Sequence, residues 1–318
     1  MKIVILDGYT TNPGDLSWNG FEELGDLTIY DRTLSEEKVA RAFEAEIVLS
    51  NKVVLDAATI AQLPHLKYIG LFSTGYNVVD LQAARARGIP VTNIPSYSTE
   101  SVVQSTFAHL LNIASNLSQN TTTVRNGDWV KSIDFCYWNN SLMELFGKTL
   151  GIVGFGTIGQ RVAQVAQAFG MNVLAYGRHL NPGEIRDGVL FVPFESLLQK
   201  SDIISLHCPL NDDNRHFINQ KSLAMVKRGA ILINTARGPL LDEQAVADAL
   251  NEGRLGGFGA DVLSTEPPQN NNPLLNAKNS YITAHNAWAT FEARSRLISI
   301  AVANVQAFLN GKPQNVVN

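Results

Sequence analysis

The stretch Leu150-Gly151-Ile152-Val153-Gly154-Phe155-Gly156-Thr157-Ile158-Gly159 decides how this chain folds. A short apolar run, predicted to be a buried strand, turns through three glycines into a helix. Gly154 permits the tight turn, Gly156 lets the backbone approach a pyrophosphate, and Gly159 lets the helix pack closely on the strand. The helix directs its free N–H groups and positive dipole end toward phosphates. The stretch predicts a dinucleotide-binding turn formed by Gly154, Gly156, Thr157, Ile158 and Gly159.

The residues on both sides of this turn complete a strand–helix–strand unit. Residues 149–153 are β-prone, and residues 172–176 are predicted to form a second strand. Between them, apolar residues recur at helical spacing, at Ile158, Val162, Val165, Ala166 and Phe169. A three-glycine pattern alone is a weak signal, but inside a βαβ unit it predicts nucleotide binding.

The composition limits the classes of protein that are possible. The chain has 318 residues, enough for two domains, of which 45% are hydrophobic and 17% charged, an ordinary globular balance. A net charge of −4 provides no basic surface for nucleic acid and disfavours an anionic membrane surface. No run approaches the roughly 18 apolar residues of a membrane helix, and residues 1–7 are too short an apolar run for a signal peptide. We expect neither a nucleic acid nor a membrane partner.

The cysteines and histidines give no sign of a metal centre. Cys136 and Cys208 form neither a metal-binding spacing nor a disulfide framework, so a reduced, cytoplasmic compartment is expected. No metal is expected either, because metal-ligand spacing is absent from His65, His109, His179, His207 and His216.

Strands and helices are predicted to alternate along the whole chain, which favours an α/β fold with parallel sheets. In the first half, strands are expected at 2–6, 46–50, 68–71 and 91–93, with helices such as 36–43 between them. A long amphipathic helix follows from Ser101, where Ser101 and Gln104 have capping-box spacing. In the second half, strands are expected at 202–207, 230–234, 257–262 and 281–283, and helices at 220–226 and 243–251.

The last predicted helix, about 291–309, has no strand after it and is expected to pack back on the first domain. The nucleotide-binding domain, 99–287, is therefore expected as an insertion in a substrate domain formed by 1–98 and 288–318. We expect the active site in the cleft between the two domains, at the carboxyl ends of the strands.

Three polar side chains follow predicted strands of the second half: Arg237, Glu266 and His285. Strand ends of a parallel sheet converge on one edge, so these residues are candidates for one site. Reduction of a 2-keto acid needs a cation that holds the carboxylate and polarises the carbonyl, which suits arginine. It also needs an acid that protonates the new alkoxide, which suits histidine, and a carboxylate that orients the imidazole.

Several spaced motifs extend this pattern to a resemblance. They are Asp7-Gly8-Tyr9, Leu16-Ser17-Trp18, Thr74-Gly75-Tyr76-Asn77, Tyr97-Ser98-Thr99-Glu100-Ser101, Phe146-Gly147-Lys148-Thr149-Leu150 and the run from His285 to Trp288. With these motifs in order, the chain resembles the D-isomer-specific 2-hydroxyacid dehydrogenases over essentially its whole length, and most of all their glycerate dehydrogenase (hydroxypyruvate reductase) branch. The resemblance implies two Rossmann-like or flavodoxin-like domains and a homodimer.

The resemblance also implies a role for individual residues. His285 would be the general acid/base, Glu266 its hydrogen-bonded partner, and Arg237 the ligand of the substrate carboxylate and keto oxygen. Backbone amides of Thr74 and Gly75 would hold the carboxylate from the other domain. Further contacts are implied for Trp288 with the substrate, Asp261 with the nicotinamide carboxamide, Cys208 and Pro209 with the adenosine side, and Thr235 and Ala236 with the cofactor.

The choice between NAD and NADP stays open in the sequence. The acidic residue that accepts the ribose hydroxyl bonds in NAD-specific domains would fall at Gly177, which has no side chain for them. Arg178 follows at once and could pair with a 2′-phosphate, or could be a solvated arginine that stacks on adenine. Gly177 and Arg178 therefore hint that NADP is accepted.

The expected reaction interconverts small 2-hydroxy and 2-keto acids, hydroxypyruvate and D-glycerate first, then glyoxylate and glycolate. Two alternatives remain: a broad-specificity 2-keto acid reductase, and an NAD(H)-sensing, corepressor-like binding protein of the same fold. The chain lacks the disordered tails expected of such an interaction protein.

Overall fold

The computed structural model describes all residues from Met1 to Asn318. Its strands are β1 (Lys2–Ile5), β2 (Asp26–Ile29), β3 (Ile47–Ser50), β4 (Tyr68–Leu71), β5 (Val91–Thr92), β6 (Thr149–Val153), β7 (Asn172–Tyr176), β8 (Ile185–Arg186), β9 (Val189–Phe191), β10 (Ile203–Leu206), β11 (Ala230–Asn234), β12 (Leu255–Ala260) and β13 (Ser280–Ile282). The α-helices are α1 (Asn19–Glu22), α2 (Lys38–Ala42), α3 (Ala57–Ala61), α4 (Leu81–Ala86), α5 (Thr99–Ser115), α6 (Leu117–Arg125), α7 (Thr157–Ala168), α8 (Phe194–Lys200), α9 (Gln220–Met225), α10 (Glu243–Asn251) and α11 (Phe291–Leu309).

The chain divides into two compact units, and the second is inserted in the first. The first unit consists of Met1–Ser98 and Ala289–Asn318, and the second of Thr99–Trp288. The second unit thus includes Trp288, one residue beyond the predicted range 99–287, and its indole Nε1–H donates to the His285 carbonyl at 2.8 Å.

The first unit is a parallel sheet in the order β2-β1-β3-β4-β5, the flavodoxin-like order. Its strands β3 and β4 are buried along their whole length, as expected when helices cover both faces of a parallel sheet. The C-terminal α11 packs on β4, with the rings of Tyr68 and Phe308 4.8 Å apart.

The second unit is an eight-stranded sheet in the order β13-β12-β11-β10-β6-β7-β9-β8, parallel except for the edge strand β8. From β9 through β6 to β12 this is the Rossmann order, and the direction of winding reverses between β6 and β10. Apolar clusters cover its two faces, one formed with α5 and α7 and the other with α8, α9 and α10. The predicted α/β fold with parallel sheets is confirmed.

The structure corrects two details of the sequence analysis. The helix expected from Ser101 begins at Thr99, so Ser101 lies inside α5 rather than at its cap, and its hydroxyl donates to the carbonyl of Ala287. Strands β2, β8 and β9 were not predicted. β2 and β8 are short strands with exposed residues that leave no clear apolar pattern, and β9 has only three residues. None of the helices is both long enough and apolar enough to cross a membrane.

Candidate active site

The glycine-rich turn between β6 and α7 has the geometry that its sequence predicts. Gly154 has a φ of +97°, and a Cβ there would lie 2.5 Å from the backbone nitrogen of Cys208. A Cβ at Gly159 would lie 2.1 Å from the Gly154 carbonyl oxygen, whereas one at Gly156 would meet no atom within 4 Å. Two glycines thus allow close packing, and the third leaves open space at the start of α7.

A cavity of about 670 Å³ opens beside this turn. It lies where β6, β7 and β10 end, at the reversal of strand order that marks the ligand site of open parallel sheets. Six predicted cofactor residues line it: Gly154, Gly156, Gly177, Arg178, Cys208 and Pro209. Thr157, Ile158 and Gly159 form the first turn of α7, where their N–H groups precede the first helical bond, from Gln160 N to Gly156 O. The cavity, the open face at Gly156 and these N–H groups fit a dinucleotide.

Arg178 already has two partners at the rim of this cavity. Its Nη2 donates to Asn211 Oδ1 at 2.6 Å and to Asp213 Oδ2 at 2.9 Å. Both partners of the ion pair are at least half exposed, so the pair is weak. A carboxylate therefore stands beside the cation that could pair with a 2′-phosphate, and no local pattern in the sequence indicates this contact.

Cys208 and His207, which follow β10, are both uncharged at neutral pH. Burial raises the pKa of the Cys208 thiol to about 11, so that it is a protonated, unreactive group in the cavity wall. Burial lowers the pKa of His207 to about 4, and its Nε2 lies 2.8 Å from Ser205 Oγ. A neutral, apolar wall is suited to a base or ribose rather than to a phosphate.

The lowered pKa of His207 predicts a loss of stability in acid. The folded chain keeps this imidazole neutral down to about pH 4, whereas the unfolded chain protonates it near its ordinary value of 6.5. The unfolded state therefore binds more protons between these values, and the free energy of unfolding falls as the pH is lowered through 6.5. Because the ring lines an open cavity, where solvent reduces the penalty, we expect His207 to lower the free energy of unfolding by about 2 kcal/mol in acid. Urea denaturation at pH 7 and pH 4.5 measures this loss. The loss should be about 2 kcal/mol smaller in His207→Asn than in the wild type, and equal losses would contradict the assignment.

Arg237 lies after β11 in a loop that passes very close to the segment leading to Glu266. A Cβ at Gly238 would lie 1.9 Å from the carbonyl carbon of Leu263, so glycine is needed for this approach. The Arg237 side chain is exposed, its Nη1 donates to the carbonyl of Ala236 at 2.6 Å, and no carboxylate pairs with it. The guanidinium is thus left for a ligand.

Glu266 and His285 are in direct contact. Glu266 Oε1 accepts from the backbone N–H of Leu263 at 2.9 Å, and Oε2 lies 2.6 Å from His285 Nδ1. About a third of each side chain is exposed. The carboxylate fixes the ring through Nδ1 and leaves Nε2 for proton transfer. The structure thus brings together two of the three predicted catalytic residues and places the Arg237 loop beside them.

Asp261, at the end of β12, makes more contacts within the protein than its predicted role requires. Its carboxylate accepts from Thr283 Oγ1 at 2.6 Å and from the backbone N–H groups of Asn286 at 2.9 Å and Ala287 at 2.8 Å. It is 2% exposed. The predicted contact with a nicotinamide carboxamide stays a prediction. Thr235, also predicted to touch the cofactor, lies 3.1 Å from Thr106 through their hydroxyls.

In the first unit, the loop of Thr74 and Gly75 after β4 exposes backbone donors. Thr74 Oγ1 donates to Ile94 O at 2.8 Å, Asn93 Nδ2 donates to Thr74 O at 2.7 Å, and Ser73 Oγ donates to Gly75 O at 2.6 Å. The N–H groups of Thr74 and Gly75 donate to no acceptor within the chain. This loop is suited to an anion, and its predicted role toward the substrate carboxylate stays a prediction.

Four residues at the site carry no signal in the sequence: Thr283, His109, Asn211 and Asp213. The sequence predicts Thr283 only as a strand residue, and His109 only as a histidine without metal-ligand spacing. Their contacts join segments more than 20 residues apart, or 174 in the case of His109 and Thr283. No local pattern marks such pairs.

Comparison with known proteins identifies the class. Residues 107–287 match the family model described as D-isomer specific 2-hydroxyacid dehydrogenase, NAD binding domain. The chain therefore belongs to the D-isomer-specific 2-hydroxyacid dehydrogenase family. Members of this family are NAD(P)-dependent oxidoreductases that interconvert D-2-hydroxy acids and 2-keto acids. This membership favours the enzyme over the corepressor-like alternative.

Individual relatives are similar over their full length. Hydroxypyruvate reductase of Blautia hydrogenotrophica is 46% identical over 321 aligned positions that cover 100% of both chains. Glycerate dehydrogenase of Methylorubrum extorquens is 40% identical over 99% of this chain and 98% of its own. Among solved structures, an acyclic imino acid reductase in complex with NADPH and D-Arg has a TM-score of 0.87 and 32% identity, with both chains covered completely. The first two relatives agree with the branch that the motifs indicate.

Proposed function

We propose that the protein reduces hydroxypyruvate to D-glycerate, and glyoxylate to glycolate, with NAD(P)H. The observation that carries this proposal is the Glu266–His285 pair, which holds an imidazole at a strand end beside the loop of the unpaired Arg237. The names of the most similar relatives reported above support the choice of substrate. The exposed polar loop that contains Thr74, Tyr76 and Asn77 is also suited to a small, polar acid rather than a bulky apolar one.

Each site residue has one task in the reaction. Arg237 binds the substrate carboxylate through its planar donors and polarises the keto oxygen. The dinucleotide supplies a hydride to C2 when it is bound. His285 Nε2 gives a proton to the oxygen as charge develops there, while Glu266 holds Nδ1 and stabilises the imidazolium that is present before the transfer. In the reverse direction, His285 accepts the proton from the hydroxyl group.

A panel of keto acids tests the substrate proposal. With NADH and NADPH as donors, kcat/KM should be highest for hydroxypyruvate, lower for glyoxylate, and at least about tenfold lower for phenylpyruvate, a difference of about 1.4 kcal/mol. Equal values for phenylpyruvate would favour the broad-specificity 2-keto acid reductase. Absence of turnover with every acid would overturn the proposal.

We further propose that NADPH is accepted as well as NADH, since Gly177 offers no carboxylate and Arg178 lies at the cavity rim. A 2′-phosphate would replace Asn211 and Asp213 as the partner of Arg178. A charge-assisted hydrogen bond to phosphate contributes about 1.5–3 kcal/mol, whereas the exposed pair with Asp213 contributes less than about 1 kcal/mol. The exchange therefore favours the phosphate, although the Asp213 charge opposes it.

Two variants test this proposal by opposite effects. Arg178→Ala should lower kcat/KM for NADPH about tenfold or more and change that for NADH less than about threefold. Asp213→Asn, which removes the neighbouring negative charge, should raise kcat/KM for NADPH several-fold. Equal losses with both cofactors in Arg178→Ala, or a large NADH preference of the wild type that Asp213→Asn does not reduce, would contradict it.

We also propose that the protein is a homodimer that pairs through the segment 117–146 of the second unit. Large apolar side chains are exposed there, among them Trp129, Val130, Ile133, Phe135, Trp138, Leu142 and Phe146. Between 117 and 138 the segment carries two basic residues, Arg125 and Lys131, and two acidic ones, Asp128 and Asp134, so two copies related by a two-fold axis can pair opposite charges. In sedimentation, the wild type should be a dimer and Ile133→Asp with Phe135→Asp a monomer; a wild-type monomer would contradict the proposal.

Both cysteines are free thiols, which agrees with the proposed cytoplasmic location. Fractionation of the native host, with the protein recovered among cytoplasmic enzymes, would test that location.

A further inference from the structure

A chain of hydrogen bonds in the second unit runs from α5 to the backbone that carries His285. His109 Nε2 lies 3.2 Å from Thr283 Oγ1, and Thr283 Oγ1 lies 2.6 Å from Asp261 Oδ1. Asp261 then accepts from the N–H groups of Asn286 and Ala287, the two residues after His285. We call these three side chains the His109–Thr283–Asp261 chain.

The direction of each hydrogen bond in this chain follows from the number of protons. A threonine hydroxyl has one proton, and Thr283 gives it to the Asp261 carboxylate, which is an acceptor only. Thr283 must therefore accept from His109, so His109 carries its proton on Nε2. Burial lowers the pKa of His109, against the opposing charge of Asp261, and this agrees with a neutral ring. Every donor in the chain thus points toward Asp261.

The backbone that this chain holds is strained. His285 has a φ of +50°, in the left-handed region that non-glycine residues rarely adopt. Such a conformation persists only where surrounding contacts determine it. The N–H of His285 donates to the carbonyl of Thr283 at 3.1 Å, and Asp261 binds the next two N–H groups. The carbonyls of His285 and Ala287 also accept, from Trp288 Nε1 and Ser101 Oγ.

We propose that Asp261, supported by Thr283 and His109, is a positioning group that keeps the His285 imidazole in hydrogen-bonding contact with Glu266. This inference rests on the proposed role of His285. The carboxylate sets the backbone of 285–287, and the backbone sets the direction in which the ring leaves the chain. Thr283 and His109 act through Asp261, without contact with the substrate.

The cost of the arrangement supports a role beyond packing. Asp261 and His109 are buried, and burial of a carboxylate or an imidazole is unfavourable unless it is fully hydrogen-bonded. α5 also packs very closely on β12. A Cβ at Gly259 would lie only 2.7 Å from His109 Cβ, so the absence of a side chain at Gly259 allows this approach. An apolar residue at position 109 would avoid the cost of burying an imidazole, but it could not donate a hydrogen bond to Thr283.

Thr283→Val and Thr283→Ser test the central bond of the chain. Valine keeps the volume and removes the donor, and serine restores the hydroxyl. We expect Thr283→Val to lower kcat for keto-acid reduction about tenfold, with KM and the cofactor Kd changed less than about threefold, and Thr283→Ser to recover most of kcat. A matched control is Thr59→Val in the first unit, which removes a similar bond, Thr59 Oγ1 to Asp56 Oδ1 at 2.5 Å. It should lower Tm without lowering kcat.

His109 is tested by the same logic. His109→Gln keeps a side-chain N–H near the position of Nε2, whereas His109→Leu removes it. His109→Leu should lower kcat several-fold and His109→Gln should not. Because both residues act through Asp261, the double variant His109→Leu with Thr283→Val should be no slower than Thr283→Val alone within about twofold. Losses that multiply would mean independent structural effects.

A spectroscopic signal keeps the proposal separate from the choice of substrate. The Nδ1 proton of His285, bound to Glu266, should give a far-downfield proton NMR signal that is absent from His285→Gln. We expect it to be lost or broadened in Thr283→Val and retained in Thr283→Ser and Thr59→Val. Its persistence in Thr283→Val, or an unchanged kcat, would overturn the positioning role. If no keto acid is reduced, the substrate proposal fails, and the signal still decides the positioning role.

Discussion

His285→Gln is expected to lower kcat for hydroxypyruvate reduction about a thousandfold. A glutamine side chain can occupy the position of the ring beside Glu266, but it cannot deliver a proton to the developing alkoxide. General acid catalysis commonly contributes 10²- to 10⁴-fold, about 3–5 kcal/mol. The Kd of NADPH, from quenching of protein fluorescence, should change little, because His285 is not among the residues that line the cavity at the glycine-rich turn.

Glu266→Gln provides the graded comparison for His285. It keeps the size of the side chain and can still contact Nδ1, but it loses the negative charge that stabilises the imidazolium. We expect kcat to fall about ten- to a hundredfold. A His285→Gln enzyme that retains more than about a tenth of the wild-type kcat would show that another group supplies the proton.

Replacement of Arg237 is expected to have the second largest effect. Arg237→Gln should lower kcat/KM for hydroxypyruvate about a thousandfold or more, because two charge-assisted hydrogen bonds to the substrate carboxylate are lost. Arg237→Lys keeps the charge but not the planar pair of donors, and should fall between the wild type and glutamine. Steady-state kinetics at saturating NADH would measure both.

The matched control for Arg237 is Arg178→Ala, which removes another exposed arginine of the same unit. With NADH as the donor, it should leave the KM for hydroxypyruvate unchanged, because its partners are Asn211 and Asp213 in the cofactor cavity. An Arg237→Gln enzyme with an unchanged KM and kcat would contradict the assignment of the carboxylate to this arginine.

Local patterns in the sequence predicted those features whose causes are local. The turn at Gly154 is fixed by a close backbone approach that excludes a side chain, and buried strands such as β11 are continuous apolar runs. Arg237 and His285 are predicted as site residues because parallel strands end at one edge. The Glu266–His285 contact was anticipated from the chemistry that a keto-acid reductase needs and from the resemblance to the family.

Other features depend on contacts that no local pattern shows. The ion pair of Arg178 with Asp213 joins loops that follow two different strands, so this contact could not be inferred from local sequence. The three acceptor contacts of Asp261 involve residues more than 20 positions later. The strained φ of His285 depends on bonds from its neighbours to the distant Asp261, and the short edge strand β2 forms by pairing with β1.

The most direct test of the account is the configuration and rate of product formation from hydroxypyruvate and NAD(P)H. Initial rates would be followed by loss of reduced cofactor, and the glycerate would be resolved on a chiral column, for the wild type and for His285→Gln. We expect rapid formation of D-glycerate alone by the wild type, and about a thousandfold slower formation by the variant. L-glycerate as the product, or equal rates for the two proteins, would contradict it.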